Sequence, residues 1–226
     1  MTDPIAHRLA LADRFRALAT PDVADGLDRL GHREQTAEGI VRMWDDCSRI
    51  AGRVMPILLG PEFTYSTTIG TLEAIAECEP GDVLVFANGG RSGLNSFGSI
   101  AALCAERAGI VGTVIDGVTR DLDDMRAQTF PLFARGVTTT TVRERTGFGG
   151  FGKPIRCSGI DVASGDWVVA DGSGTIFIPG DDVEEVLVGA ENARSYERAL
   201  RQRILQGEDP VQAHQAMRYD QYGTPS

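Results

Sequence analysis

Residues 89–121 read GGRSGLNSFGSIAALCAERAGIVGTVIDGVTRD, and this order of residue types decides the fold class. The glycines at its start predict a loop over residues 89–99. A helix then begins near Gly98, with Ile100, Leu103, Cys104 and Ala108 on one face and Gly109 at its end. Residues 110–115 are apolar and β-branched enough for a strand buried on both faces, and a turn containing Gly117 delivers Arg120 and Asp121 side by side. The unpaired N–H groups at a helix start, here around Gly98, Ser99, Ile100 and Ala101, can hold an anion. Open α/β sheets place ligands beyond the C-terminal ends of their strands, where Arg120 and Asp121 fall. A hard cation such as Mg²⁺ needs only one or two carboxylates beside water and substrate oxygens, so one Asp can suffice. Spacing alone leaves a second reading open, in which Asp121 caps a helix beginning at Leu122 and Arg120 pairs with Asp123 or Asp124.

Working outward towards the N-terminus, residues 83–87 form a short, wholly apolar strand preceded by Pro80 and Gly81, which end a helix over residues 71–79. Residues 49–59 predict a strand in which Gly52 marks a bulge or a close approach. Residues 5–18 carry apolar residues at helical spacing. Thr20 then reads as the cap of a second helix, Pro21 as its first residue and Gly31 as its end, with Asp22 and Asp25 favouring its dipole.

In the other direction, residues 131–133 and 137–142 read as strands, and the glycine-rich run from Gly147 to Lys153 reads as a flexible surface loop, with a mobile flap over a site behind Arg143, Glu144 and Arg145 as the alternative. Residues 155–162, 167–170 and 175–179 are strands joined by Asp-Gly and Ser-Gly turns. Asp181 and Asp182 cap a long final helix to about Leu205, whose apolar stripe must pack on its own sheet or on another subunit. A β-α-β front and a hairpin-rich back give an α/β layered domain over residues 1–206, with residues 207–226 as a polar, loosely ordered tail or an oligomer arm.

The formal net charge of −10 over 226 residues, without a basic patch, argues against a nucleic-acid partner. No apolar run is long enough for a membrane span. Cys47, Cys78, Cys104 and Cys157 are scattered and read as reduced thiols in the cytoplasm. His7, His32 and His214 form no zinc-type cluster, which leaves oxygen ligands for any metal. The glycine-rich loop is neither G-x-G-x-x-G nor G-x-x-x-x-G-K-[ST], so no nucleotide follows from it, and an S-adenosylmethionine methyltransferase is disfavoured.

The run G-x-x-A-x-x-A-x-x-x-x-G-x-x-G-x-V-I-D-G-x-x-R-D, spanning Gly98 to Asp121 with Cys104 at the second Ala, resembles the RraA-like family. That group includes class II pyruvate aldolases acting on 4-hydroxy-4-methyl-2-oxoglutarate and 4-carboxy-4-hydroxy-2-oxoadipate. Residues 22–31 (DVADGLDRLG), 80–85 (PGDVLV) and the segment from Gly159 to Gly174 extend the likeness over most of residues 15–180. The resemblance implies an α-β-β sandwich related to swivelling phosphohistidine domains, assembled as a homotrimer or homohexamer with sites between subunits. It further implies a small 2-oxo acid substrate and Mg²⁺ or Mn²⁺. Asp121 would be the metal-bound carboxylate, Arg120 the catalytic guanidinium on the substrate's oxo group, and Gly98, Ser99, Ile100 and Ala101 the backbone that holds its carboxylate. The activity so implied is a lyase releasing pyruvate, with oxaloacetate decarboxylation through the same enolate.

One position departs from the pattern. Aldolases of the family carry Asp or Glu after the glycine at the helix start, and here that residue is Ser99. A serine is a poor general acid or base at neutral pH, so the proton-handling role does not carry over. Ser99 leaves open the alternative of a non-catalytic regulator of the ribonuclease-inhibitor type.

Overall fold

The computed structural model describes residues 3–218. The chain begins with α1 (Pro4–Arg16) and α2 (Thr20–Arg29), then β1 (Val41–Arg42), β2 (Ile50–Gly60), α3 (Thr67–Ala76) and β3 (Val83–Asn95). There follow α4 (Ser99–Arg107), β4 (Gly112–Thr119), α5 (Leu122–Ala127), β5 (Leu132–Val137) and β6 (Gly147–Phe151). The C-terminal part holds β7 (Ile155–Cys157), β8 (Ile160–Val162), β9 (Trp167–Asp171), β10 (Gly174–Ile178), a 3₁₀ turn, α6 (Val183–Leu205) and α7 (Pro210–Met217).

The main sheet runs β1-β5-β4-β3-β2-β9-β10, with β6 also paired to β2. Strands β2 to β5 are parallel, whereas β1, β6, β9 and β10 join antiparallel. The long strand β2 serves both halves: Ile50 to Arg53 pair with β9, and Val54 to Leu58 pair with β3. At the far end β1 lies against β9 and β10, so the sheet curls almost to closure. The fold is therefore the expected mixed α/β class, with helices outside a nearly closed, barrel-like sheet.

The side-chain alternation of β3 explains why its sequence is wholly apolar. Val83, Val85 and Ala87 point into the interior with Val54, Val114, Phe133, Val168 and Phe177. Leu84 and Phe86 face the opposite way, under α3, α4 and α5, with Ala102, Ala105, Ile115 and Met125. A third cluster joins Phe15, Leu27 and Leu187, from α1, α2 and α6, to Ala51, Val169 and Ile176 of the sheet. Burying each large side chain of this kind contributes about 1.5–3 kcal/mol, which is why the apolar residues of α1 to α6 turn to the sheet.

Several expected details are corrected. Helix α3 starts at Thr67 because Ser66 accepts the Ile69 N–H at 3.3 Å and caps it. Thr20 is already inside α2: the Asp22 carboxylate accepts the N–H of Ala19 at 2.8 Å, and the Thr20 hydroxyl donates to Asp171 at 2.7 Å. The apolar strand at 83–87 continues to Asn95 through two register shifts against β4, so much of the supposed loop over 89–99 is irregular strand. Gly117 lies within β4, opposite Arg91, and the turn comes only after Thr119.

Residues 138–142 are not a strand despite their β-branched side chains. Asn95 holds them as a loop: its N–H donates to Thr140 O at 3.1 Å and its side-chain oxygen accepts the Val142 N–H at 2.7 Å. The glycines at 147–151 form β6, not a loop or a flap. Gly147 and Gly149 are small because they are crowded: a Cβ on Gly149 would sit 2.7 Å from Cζ of Phe63. Asp182 precedes α6 without capping it and instead pairs with His32 at 2.8 Å. Part of the presumed tail is α7, which packs on α6; residues 219–226 lie outside the described residues.

Candidate functional site

Two hydrogen bonds fasten the end of β4 to the segment entering α4. The Thr119 hydroxyl donates to Phe97 O at 2.9 Å, and the Arg120 N–H reaches the same oxygen at 3.4 Å. The chain then turns at Asp121, whose φ of 58° is left-handed, a conformation that Asp tolerates better than most residues. Asp121 occupies the position before α5 but makes no side-chain cap there. Its carboxylate turns to the start of α4 instead, where Oδ2 accepts the Ser99 N–H at 3.3 Å and lies 3.4 Å from Arg120 Nε. Of the two readings that spacing left open, the capping one is thus not realised, and Arg120 pairs with Asp121, not with Asp123 or Asp124.

Gly98 makes this approach possible. A Cβ there would lie 2.7 Å from Asp121 Oδ2, so any larger residue pushes the carboxylate away from the helix start. Ser99 is buried at 8% exposure, whereas Ile100 faces solvent. Ala102 is the first residue of α4 whose N–H closes a helical bond, to Gly98 O at 3.0 Å. With the Ser99 amide taken by Asp121, the Ile100 and Ala101 amides have no acceptor among the described residues, as the first turn of a helix leaves them.

These groups border a cavity of about 190 Å³, enough for a small organic acid. Gly98, Ile100, Ala101, Arg120 and Asp121 line it, together with Thr67, Thr68 and Thr71 of α3, Asn95 and Arg143. Ser99 does not line it directly; its amide serves Asp121. Arg120 Nε is buried without a hydrogen-bond partner among the described residues. Its counter-charge is the Asp121 carboxylate at 3.4 Å, and Arg120 lines the cavity. The threonines of α3 and Asn95 were not singled out in the sequence; Ser66 in front of Thr67 and Thr68 was the signal that α3 begins there.

The donor chemistry suits a hard divalent cation. Asp121 is a third exposed at the cavity and offers oxygen, and such an ion is content with one carboxylate when water and substrate complete its shell. Among the described residues no group of three or more His, Cys, Asp or Glu could enclose a metal, which disfavours a protein-saturated zinc-type site. The thiols are free; burial pushes Cys78 up to about 12 and raises Cys47 and Cys157 as well, so these three are poor nucleophiles at neutral pH. No helix among the described residues is long and apolar enough to cross a membrane.

An α/β barrel-like sheet with an Arg-Asp pair facing a helix start defines a class of fold and site. Residues 20–177 match the RraA-like family, described as Aldolase/RraA, and the chain belongs to that family. It is 28% identical over 201 residues, 89% of this chain and 91% of the relative, to a Halalkalibacterium halodurans protein named "Putative 4-hydroxy-4-methyl-2-oxoglutarate aldolase". A solved structure of an uncharacterized Pseudomonas syringae protein superposes with a TM-score of 0.82 at 30% identity, covering 91% of this chain and 97% of that one. RraAS2 of Streptomyces coelicolor, described as an unusual member of the RNase ES inhibitor RraA family, superposes with a TM-score of 0.76 at 25% identity, covering 86% and 98%.

Proposed function

We propose that this protein is a divalent-metal-dependent lyase that cleaves a 4-hydroxy-2-oxo acid to pyruvate and a second carbonyl compound, and that it also decarboxylates oxaloacetate. The observation that carries the reading is the ion pair of Asp121 with Arg120, 3.4 Å apart, both residues lining one small cavity at the start of α4. Asp121 would hold Mg²⁺ or Mn²⁺, which when bound would supply Lewis-acid polarisation of the 2-oxo acid. The backbone from Gly98 to Ala101 holds the substrate carboxylate, chiefly through the Ile100 and Ala101 amides and the positive end of the helix dipole.

Arg120 would donate from its guanidinium to the 2-oxo oxygen. As the bond between C3 and C4 breaks, its electron pair moves towards that oxygen, the C4 hydroxyl passes its proton to water and becomes the second carbonyl, and the fixed guanidinium stabilises the enolate charge. Protonation at C3 then gives pyruvate. Decarboxylation needs less: the electrons come from a carboxylate that leaves as CO₂, and no hydroxyl proton has to be removed. Oxaloacetate is therefore the substrate least affected by Ser99 in place of the usual acid.

Ser99 also favours a second reading, a non-catalytic regulator of the ribonuclease-inhibitor type acting through protein contacts. In both readings the assembly is a homotrimer or homohexamer of a cytoplasmic protein, residues 1–206 forming the domain. Exposed Ile69 and Leu72 on α3 and Ile100 and Leu103 on α4, close to the cavity, support the oligomer.

Thermal melts separate these readings without any turnover. Mg²⁺ with oxalate, a dianionic mimic of the enolate, is expected to raise the melting temperature by roughly 5 °C or more at saturating ligand, and neither component alone does so. A melting temperature unchanged by the pair would sink the lyase reading.

A further inference from the structure

The cavity beside Arg120 and Asp121 continues past α3 into a second cleft of about 590 Å³. Thr67, Thr68 and Arg143 line both. Arg143 is the charged side chain at the junction, and its guanidinium has no hydrogen-bond or ion-pair partner among the described residues. Its backbone, in contrast, is fixed. Asn95, buried at 5% exposure, grips the loop on the N-terminal side through Thr140 and Val142. The Arg143 N–H donates to the Thr141 hydroxyl oxygen at 3.3 Å, and Arg145 donates to Thr141 O at 3.1 Å. A long side chain whose base is anchored while its charge finds no use within the chain is suited to a ligand, because little backbone order is left to lose on binding.

Charge points the same way. The ionisable acids and bases named above for the two clefts are Arg120, Arg143 and Arg145 against Asp121 and Glu144. A local positive excess on a chain of formal net charge −10 focuses an anionic ligand there. A one-carboxylate 2-oxo acid held at α4 and Arg120 would leave Arg143 unanswered.

We propose that Arg143 determines substrate specificity by taking the second carboxylate of a dicarboxylic 2-oxo acid at the junction of the two clefts. The proposal rests on the 2-oxo acid reading above and names the residue that reads the distal carboxylate. A guanidinium binds a carboxylate through two parallel N–H bonds, which lysine cannot reproduce.

Calorimetric titration in Mg²⁺ tests it with two ligands that carry no cleavable bond of the proposed kind: 2-oxoglutarate, and 2-oxopentanoate, in which a methyl replaces the distal carboxylate. The wild-type protein is expected to bind 2-oxoglutarate at least about tenfold more tightly. Arg143→Ala should remove that preference by weakening 2-oxoglutarate alone, and Arg143→Lys should retain part of it. If Arg143→Ala fails to fold, as its melt would reveal, Arg143→Lys still decides through a loss confined to 2-oxoglutarate. Equal weakening of both ligands, or of neither, overturns the role of Arg143 and leaves the 2-oxo acid reading standing. Failure of the wild-type protein to bind either ligand overturns the 2-oxo acid reading and this proposal with it.

Discussion

Asp121→Ala is expected to lower metal-dependent pyruvate formation by a hundred- to a thousandfold or more, the scale at which one preorganised charge-stabilising group acts. The variant loses the carboxylate that faces the cavity, the acceptor of the Ser99 N–H and the partner of Arg120 Nε in one step. The fold should survive, because the side chain is a third exposed and packs in no apolar cluster. Its left-handed backbone adds a cost of about 1 kcal/mol for Ala. Asp121→Asn avoids that strain, since Asn also tolerates this conformation, and should be just as inactive. Steady-state assays with added Mg²⁺ beside a thermal melt measure both effects; activity equal to wild type in either variant contradicts the role given to Asp121.

A second large effect is expected far from the cavity. The Asp171 carboxylate is almost fully enclosed and ties the first turn of α2 to the β9–β10 hairpin. It accepts the Thr20 N–H at 3.0 Å, the Thr20 hydroxyl at 2.7 Å and the Ser173 N–H at 2.8 Å, and it faces Arg49 at 3.2 Å. Asp171→Ala strands these donors together, for a cost of about 2–4 kcal/mol, or roughly 5–15 °C in melting temperature for a chain of this size. Burial works against the charge, but the Thr20 and Ser173 hydrogen bonds and Arg49 outweigh it and hold the carboxyl below its ordinary value. A lowered folded-state value contributes stability above the unfolded value of about 3.9 and loses it as the pH falls through the folded one. The advantage of wild type over Asp171→Asn should therefore be constant near neutrality and shrink below about pH 4. An advantage that grows on acidification would contradict this account.

What the sequence made legible was what local pattern determines. Gly98, Gly109 and the apolar face between them set α4 within a residue, and the Asp-Gly and Ser-Gly steps located the β9–β10 hairpin, whereas residues 155–162, read as one strand, form the β7–β8 hairpin because Ser158 and Gly159 take positive φ. The Arg120–Asp121 pair was found because it follows a buried strand. The misplacements share a physical cause, tertiary contacts overriding local propensity. Residues 138–142 have the composition of a strand, yet Asn95, over forty residues earlier, takes their backbone groups. Gly147 and Gly149 read as mobile because sequence shows their small size and not the Phe63 backbone and ring that demand it. Likewise Thr67, Thr71 and Asn95 reach the cavity only through sheet order, which places β3 beside β4 and α3 beside α4.

The central claim is that the pair at the end of β4 performs carbon–carbon cleavage next to a 2-oxo group. The most direct measurement is pyruvate release from oxaloacetate and from 4-hydroxy-4-methyl-2-oxoglutarate by the purified protein, with Mg²⁺ and again after chelation. Pyruvate formed above the uncatalysed rate from at least oxaloacetate, lost on chelation and restored by Mg²⁺, is the predicted result. No release above the protein-free control from either substrate at saturating Mg²⁺ would contradict it.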